Sequence, residues 1–412
     1  MKKTLIALTL AALPVASMAD VILYGQIKGG VEVTKIKDVK GTVTNIVDYG
    51  SRIGFKGHEQ LNGSLKAIWQ LEQAVDVGGG KGRTFGTRDS FIGLSGENLG
   101  TVKVGYQQTP VKELNSKLDI WEYDSYAAGL GRFTRDTDAV KRATAITYET
   151  PNFGGFTAKA YVSPSDNNRR QVVYRNGIDP IASQRNGTPT PANPSIAYDE
   201  NGRKSTDSAI YGLSFSYQHE KGFFGDVAGV YVRNGLNNLT SRNNGYQVLA
   251  QGGFENDKWM AALGYQYSHS VDSFNASSNN PQLDTLYTAR NSTTSANAVS
   301  DSLKGHEVVL SGAYTLNDSV RLKGSAAYGF GIQSVGSHDQ YTIGADNTTA
   351  TYSHTGHVKS RGNGKYYQAV LGADYLFSKR TTANAQVGYY QAGKGAEKVR
   401  GGTLSVGMKH KF

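Results

Sequence analysis

The chain contains no cysteine, which excludes disulfide bonds and thiolate metal sites. Beyond residue 19 it also lacks an apolar run long enough for a membrane-spanning helix. Its mean hydropathy of −0.44 would ordinarily indicate a soluble protein. A transmembrane barrel gives a similar average, because half of each strand faces a polar lumen. Hydropathy alone therefore leaves both classes open.

A large excess of charge is also missing. The formal net charge is +10, and the basic residues are dispersed along all 412 positions, so nucleic acid is not an expected partner. The 50 glycines include no glycine-rich run that follows a strand and opens a helix. We interpret them as strand and turn glycines rather than as a phosphate-binding loop.

The first 19 residues have the pattern of a secretory signal peptide. Two lysines precede an apolar stretch at 5–15, and Ser17 and Ala19 supply the small residues that a signal peptidase requires. The sequence predicts cleavage after Ala19, leaving residues 20–412 as the mature chain. The alternative is a membrane anchor, which needs about 20 apolar residues, and this stretch is shorter and interrupted by a proline.

What the remaining sequence has in abundance is alternation between apolar and polar residues. This two-residue period is typical of strands with one apolar and one wet face. Tyrosine and tryptophan near the strand ends predict the aromatic belts of a membrane barrel. Segments of this kind place the following residues on one side: Tyr211, Leu213 and Phe215; Trp259, Leu263 and Tyr265; Leu322, Tyr328 and Phe330; and Leu404, Val406, Met408 and Phe412.

The connections alternate in length. Short turns rich in Asn, Asp and Gly are predicted at 59–63, 97–100, 151–155, 220–222, 255–258, 316–319 and 378–380. Long polar segments are predicted at 35–45, 76–86, 108–140, 164–205, 234–243, 271–303, 332–363 and 392–398. Together they predict an all-β fold, a 16-stranded antiparallel transmembrane β-barrel with short periplasmic turns and long external loops. A secreted β-propeller or β-helix is the soluble alternative, but the chain lacks the fixed repeat of those folds.

Several segments resemble the neisserial outer-membrane porins, the PorB and PorA class of the general Gram-negative porin family. The match to the first four strands is close at 20–31 (DVILYGQIKGGV), 47–57 (VDYGSRIGFKG), 65–73 (LKAIWQLEQ) and 88–94 (RDSFIGL). It extends through 148–155 (YETPNFGG) and 374–381 (DYLFSKRT) to 407–412 (GMKHKF), where a terminal aromatic strand resembles the closing strand of an outer-membrane barrel. The loops between 164 and 362 do not match.

The resemblance implies a trimeric, water-filled channel whose third external loop folds into the lumen. Independently, the segment 108–140 shows no sustained alternation and is much longer than an ordinary connection, which indicates a function or disorder. It carries acidic residues at Glu113, Asp119, Glu122 and Asp124. We therefore predict a constriction loop with an acidic edge. An ordinary external loop with a solvated acidic run is the alternative.

Strand parity predicts the wall opposite this loop. If Ile53 and Phe55 face outward, Arg52 faces the lumen, and the same reasoning turns Lys66 and Lys103 inward. The resemblance adds Arg88, at the position of a constriction arginine, and Lys112, at the entry of the folded loop. The predicted pore constriction thus comprises Arg52, Lys66, Arg88, Lys103, Lys112, Asp119, Glu122 and Asp124. Such an arrangement sets a transverse field across the pore.

Some positions depart from the family pattern. Ala74 and Tyr106 stand where related sequences carry further lumen cations, and Asn152 replaces a common acid. The sign of ion selectivity therefore stays open. The expected function is that of a general diffusion porin of the outer membrane, a homotrimer in outer-membrane lipid that passes ions and small hydrophilic solutes and needs no cofactor.

Other functions of a barrel have less support in the sequence. A hydrolase needs a nucleophile near a histidine and an acid, and no such motif accompanies the eight histidines, so an enzyme is not expected. A metal site built from His338, His354 and His357 has no helical spacing and no cysteine to assist it. A substrate-selective sugar channel would need a line of lumen aromatics. An adhesin would rest on the polar loops 164–205, 271–303 and 332–363.

Overall fold

Antiparallel strands account for almost all of the chain that the structure describes. The computed structural model describes residues 20–37, 40–77, 86–121, 141–164, 209–233, 244–273, 302–335, 339–343, 350–354, 364–392 and 399–412. The first 19 residues, predicted to be a signal peptide, lie outside these ranges.

One closed sheet of sixteen strands forms the barrel. β2 is a single strand interrupted at 49–51, since both of its parts pair with β1. The predicted strand number is confirmed. The strands are β1 (Asp20–Ile36), β2 (Val43–Asp48 and Arg52–Asn62), β3 (Leu65–Ala74), β4 (Ser90–Gly96), β5 (Gly100–Gln108), β6 (Arg142–Glu149), β7 (Phe156–Ser163), β8 (Ile210–Gln218), β9 (Phe223–Val232), β10 (Gly245–Glu255), β11 (Trp259–Ser273), β12 (Ser302–Asn317), β13 (Val320–Val335), β14 (Gly364–Leu376), β15 (Thr381–Ala392) and β16 (Val399–Lys411).

The barrel closes where its last strand meets its first. β16 pairs with β1 from Gln26 opposite Lys411 to Ile36 opposite Gly401. The N–H of Phe412 donates to the carbonyl of Gly25 at 3.2 Å, and the N–H of Gly25 donates back at 3.1 Å. Closure of this kind leaves no unpaired sheet edge in the hydrocarbon.

The side chains alternate as the sequence predicts. On β11, Trp259, Leu263 and Tyr265 are exposed on the outer surface, whereas Met260 and Gln266, at positions of the opposite parity, are buried inside. The same alternation places Leu213 and Phe215 of β8, and Leu404 and Val406 of β16, on the outside. The outer surface of the barrel is therefore apolar, and its inner surface is largely polar.

Short turns join the strands in pairs at one end of the barrel, as predicted. Two of them begin with an asparagine whose Oδ1 accepts from the backbone N–H groups two and three residues ahead. Asn256 accepts from Lys258 and Trp259, and Asn317 accepts from Ser319 and Val320. Such Asx turns explain why these short segments reverse the chain.

Within the described residues, two elements lie outside the wall. A hairpin of Asp339–Ile343 and Ala350–His354 forms a separate two-stranded sheet within the long connection after β13, where the sequence predicts only a polar loop. A single-turn helix, α1 (Pro110–Asn115), follows β5. In the described part of the chain, no helix is long and apolar enough to cross a membrane.

Candidate functional site

The chain turns into α1 directly after β5. The Thr109 hydroxyl caps this helix by accepting from the N–H of Lys112 at 3.5 Å, and Pro110 occupies its first position. Threonine is a favoured N-cap, and proline is tolerated at a position whose N–H would be unpaired. The local sequence thus starts a helix where a strand would otherwise continue into an external loop.

The segment 109–121 lies along the inner surface of the barrel. Val111, Leu114 and Leu118 are buried in one cluster with inward-facing apolar residues of the wall, among them Val230 and Leu249. Burial of this kind is the main apolar stabilisation available to a segment inside a polar lumen.

Two inward-facing glycines make room for this segment. A Cβ atom at Gly264 of β11 would lie 2.2 Å from Cδ1 of Leu118, and one at Gly212 of β8 would lie 2.8 Å from Cδ of Pro110. Real Cβ atoms do not approach other heavy atoms so closely. The wall therefore has slots into which the segment fits.

Polar contacts fix the same segment to successive strands. Its side chains contact β9 and β11: Lys117 Nζ lies 2.8 Å from Asp226 Oδ1, and Asn115 Nδ2 donates to Gln266 Oε1 at 3.0 Å. Further along the segment, backbone carbonyl groups and the side chain of Trp121 form hydrogen bonds with β12 and β13. Ser311 Oγ donates to the Leu118 carbonyl at 2.6 Å, Lys323 Nζ to the Ile120 carbonyl at 3.2 Å, and Trp121 Nε1 to Ser325 Oγ at 2.9 Å.

Glu113 differs from the expectation. The acidic residues of the loop were expected to face the basic wall across the pore. The Glu113 carboxylate instead forms an ion pair with Lys159 of β7, a strand on the side of the barrel against which the helix packs. The side chain of Lys159 is only 11% exposed. The sequence analysis did not predict this ion pair, and Glu113 is not among the residues of the predicted constriction.

Arg52 and Arg88 both contact one carboxylate, that of Glu72 on β3. Within the ranges that the structure describes, this strand is not among those that the loop segment contacts. Glu72, at the loop end of β3, forms an ion pair with Arg88, and Arg52 Nε lies 3.4 Å from its Oε2 atom. The Tyr24 hydroxyl donates to the same oxygen at 3.1 Å. The buried Glu72 carboxylate thus offsets part of the positive charge of the two arginines.

Lys66 and Lys103 lie away from these arginines, near the short turns. Lys66 is the second residue of β3, six residues from Glu72, which corresponds to roughly 20 Å along a strand. Lys103 Nζ lies 3.6 Å from Glu149 Oε2 of β6 and 5.3 Å from the centre of the Phe91 ring. The structure does not bring these two lysines together with Arg88.

The remaining predicted residues belong to the loop. Lys112 is half-buried on α1, and Asp119 Oδ1 accepts from the N–H of Trp121 at 3.2 Å. Glu122 and Asp124 lie outside the described residues.

Sequence analysis missed several charged residues of the site, among them Lys159, Asp226 and Arg142. Lys159 could have been found by parity, because Ala158, Ala160 and Val162 alternate with it. Asp226 could not, since its inward neighbours Phe224 and Ala228 are apolar and hide the alternation. Arg142, whose Nε lies 2.5 Å from Asp89 Oδ1, follows the long loop directly and belongs to no recognisable motif.

A metal centre finds no support in the part of the chain that the structure describes, where no group of three His, Asp or Glu side chains is placed to hold an ion. His338 and His357 lie outside that part, and the side chain of His354 is not described. The polar loops on which an adhesin would rest lie mostly outside it too.

Comparison with known proteins supports the same fold. A family model of the Gram-negative porins matches residues 4–395. The major outer membrane protein P.IB of Neisseria sicca is 34% identical, and that of Neisseria lactamica is 32% identical; each alignment covers 100% of both chains.

Solved porin structures share the fold. They include an anion-selective porin from Comamonas acidovorans (TM-score 0.61, 18% identity, 96% of this chain and 100% of that one). A complex of Salmonella typhi OmpF with daunomycin matches with a TM-score of 0.58 and 16% identity over 96% and 98% of the two chains. OmpT of Vibrio cholerae, described as a trimer form, matches at 0.56 and 14% over 96% and 99%.

The family model spans most of the chain, and the curated relatives cover its full length at more than 30% identity. The predicted barrel, family and cellular location are confirmed. This chain belongs to the Gram-negative porin family and forms a diffusion channel through the outer membrane.

Proposed function

We propose that this barrel is a general diffusion porin, which passes ions and small hydrophilic solutes passively and performs no catalysis. The observation that carries the proposal is the set of contacts that fix residues 109–121 along the inner surface from β7 to β13. A segment held inside the barrel narrows the lumen without closing it. We place the narrowest part of the pore between residues 109–121 and the wall that carries Arg52 and Arg88.

The electrostatics of this constriction support weak ion selectivity. Charges of both signs are close to balanced at the described site, and most are engaged in ion pairs: Glu72 with Arg52 and Arg88, Glu113 with Lys159, and Asp226 with Lys117. A paired charge produces a weaker field across the pore than an isolated one. Solute size and not charge is then the main determinant of passage.

Swelling of proteoliposomes tests this function. Sugars, amino acids and salts of graded size should enter at rates that fall smoothly with size. If two solutes of equal size and charge entered at clearly different rates, a substrate-selective channel would replace the general porin.

The outer surface supports a homotrimer. On β1, β4, β5 and β16 the exposed large apolar side chains are aliphatic or methionine, for example Leu23, Ile92, Val104 and Met408. On β8 to β11 they include many aromatic residues, and aromatic belts mark a surface in contact with lipid headgroups. The wall formed by β16 and β1 to β5 is here called the aliphatic wall, since the exposed large apolar residues of β2 and β3 between them, Val43, Ile46, Leu61 and Leu71, are also aliphatic. We assign this surface to the neighbouring subunits.

Two matched variants test the trimer. Ile92 is 66% exposed on β4, and Leu371 is 63% exposed on β14. Native mass spectrometry should show trimers for the wild type and for Leu371→Gln, and dissociation to monomers at lower detergent concentration for Ile92→Gln. A monomeric wild type, or equal dissociation of both variants, would contradict the proposed interface.

A further inference from the structure

An apolar groove of about 520 Å³ lies on the outer surface of the barrel, across β8 to β11. Two neighbouring strands supply its floor, with Gly225 of β9 directly opposite Gly252 of β10 and Val227 opposite Ala250. A Cβ atom at Gly225 would meet nothing within 4 Å. The floor is therefore a depression left by missing side chains and not a gap between strands.

Bulky side chains on both sides deepen this depression. Tyr217 and Phe215 flank the floor on β8, and Leu263 and Tyr265 flank it on β11. The ring of Phe156 packs against that of Tyr217, with centroids 4.3 Å apart, and extends the first side. The result is a channel-shaped groove that runs along the strands between two apolar ridges.

The groove lies just above the short-turn end, which is periplasmic in such barrels. Phe223 and Phe254 form the next outward-facing row toward the turns, with ring centroids 5.0 Å apart. Nearby, the rings of Trp259 and Tyr314 lie 4.3 Å apart. These aromatic residues mark the level of the headgroups, so the groove faces the hydrocarbon of the periplasmic leaflet.

We propose that this groove binds one acyl chain of a glycerophospholipid from the periplasmic leaflet. The inference rests on the arrangement proposed above, in which the aliphatic wall contacts other subunits and the aromatic-rich wall faces lipid. A second barrel would meet the ridges of Tyr217 and Leu263 before it reached the glycine floor, whereas a flexible chain fits between them. Because lipid and protein are equally apolar, affinity comes from van der Waals packing in the concave site.

Filling the floor tests the proposal. Gly225→Leu places a side chain in the groove, and Gly229→Leu is the matched control. Gly229 faces outward on the same strand, does not line the groove, and would hold a Cβ atom at 3.8 Å from the nearest backbone oxygen. Purified barrels are titrated with phosphatidylethanolamine, and the bound lipid is counted by native mass spectrometry. Single-channel conductance verifies that each variant has folded.

We expect one retained phospholipid per barrel in the wild type and in Gly229→Leu, and roughly tenfold weaker retention in Gly225→Leu. Ala250→Leu, which fills the same groove, should give the same loss and replaces Gly225→Leu if that variant does not fold. Equal retention by all variants overturns the proposal, as does retention of lipid A in preference to phosphatidylethanolamine. Loss of trimers in Gly225→Leu with lipid retention unchanged would assign the groove to a subunit contact. If only the trimer proposal is wrong, the wild-type protein is monomeric and still retains the phospholipid.

Discussion

The Lys117 ammonium group lies 2.8 Å from one carboxylate oxygen of Asp226 and 3.0 Å from the other. The Asp226 side chain is fully buried, whereas that of Lys117 is 35% exposed. Gln251 Nε2 also donates to Asp226 at 2.8 Å and to the Leu114 carbonyl at 2.9 Å. A single buried carboxylate on β9 therefore connects the loop segment to two strands of the wall.

This asymmetry predicts that the two partners tolerate substitution differently. Lys117→Met leaves a buried carboxylate with only Gln251 as a donor, which should lower the free energy of unfolding by about 2 kcal/mol. Asp226→Asn keeps an acceptor for both donors, and the lysine can turn toward water, so the loss should stay below about 1 kcal/mol. Urea unfolding in lipid vesicles measures both values.

Lys221→Met serves as the control for that comparison, because Lys221 is exposed on the turn before β9, and its removal should change stability by less than about 0.5 kcal/mol. A larger loss of unfolding free energy for Asp226→Asn than for Lys117→Met would contradict this prediction. It would show that leaving the buried carboxylate without its lysine is not the more destabilising change.

The slot at Gly264 predicts an effect on conductance. Gly264→Val adds atoms where Leu118 now lies, so the segment 109–121 has to move away from the wall. The single-channel conductance should then change and become more variable from one opening to the next. Gly312→Val on β12 is the control, since a Cβ atom there would lie 3.5 Å from its nearest neighbour. Identical conductance in both variants would mean that this contact does not position the loop.

Charge substitutions on the arginine wall predict shifts of opposite sign. Arg88→Glu should move the reversal potential in a KCl gradient toward cation preference, with the permeability ratio changing on the order of twofold. Glu72→Gln removes the carboxylate between two arginines and should move it toward anion preference. Both shifts should shrink in 1 M salt, where the Debye length falls to about 3 Å. An unchanged reversal potential for Arg88→Glu would show that Arg88 does not lie at the constriction.

Export predicts a defined mature mass. If the signal peptide is cleaved after Ala19, intact-mass measurement of the protein extracted from the outer membrane should give the mass of residues 20–412. Ala19→Leu should block cleavage, because the peptidase requires a small residue there. A wild-type mass that includes residues 1–19 would contradict the prediction.

The barrel could be predicted from the sequence because each strand separates water from lipid. Trp259, Leu263 and Tyr265 on one face, and Gln266 and Ser268 on the other, make the period of two visible without any tertiary information. The same is true of the turns, where Asn256 and Asn317 act within three residues of their own position.

The site could be predicted only in part, because its contacts join residues far apart in the chain. On β9 the inward face carries Phe224, Ala228 and Val230, so both faces of the strand are apolar and parity gives no signal. Those residues face inward because the loop segment covers them, and the position of that segment cannot be read from β9 itself. The same limit applies to Glu113, whose partner Lys159 is recognisable only once the loop is placed.

The seam between β1 and β16 has a consequence for how the barrel forms. Gln26 pairs with Lys411, so the closing contacts join residues that are almost a full chain length apart. Contacts of such high contact order form slowly. Until they form, two strand edges stay unpaired and open to association with other chains. We therefore expect closure of the seam to be the slow step of assembly, and an incomplete barrel to be the species that most needs a chaperone.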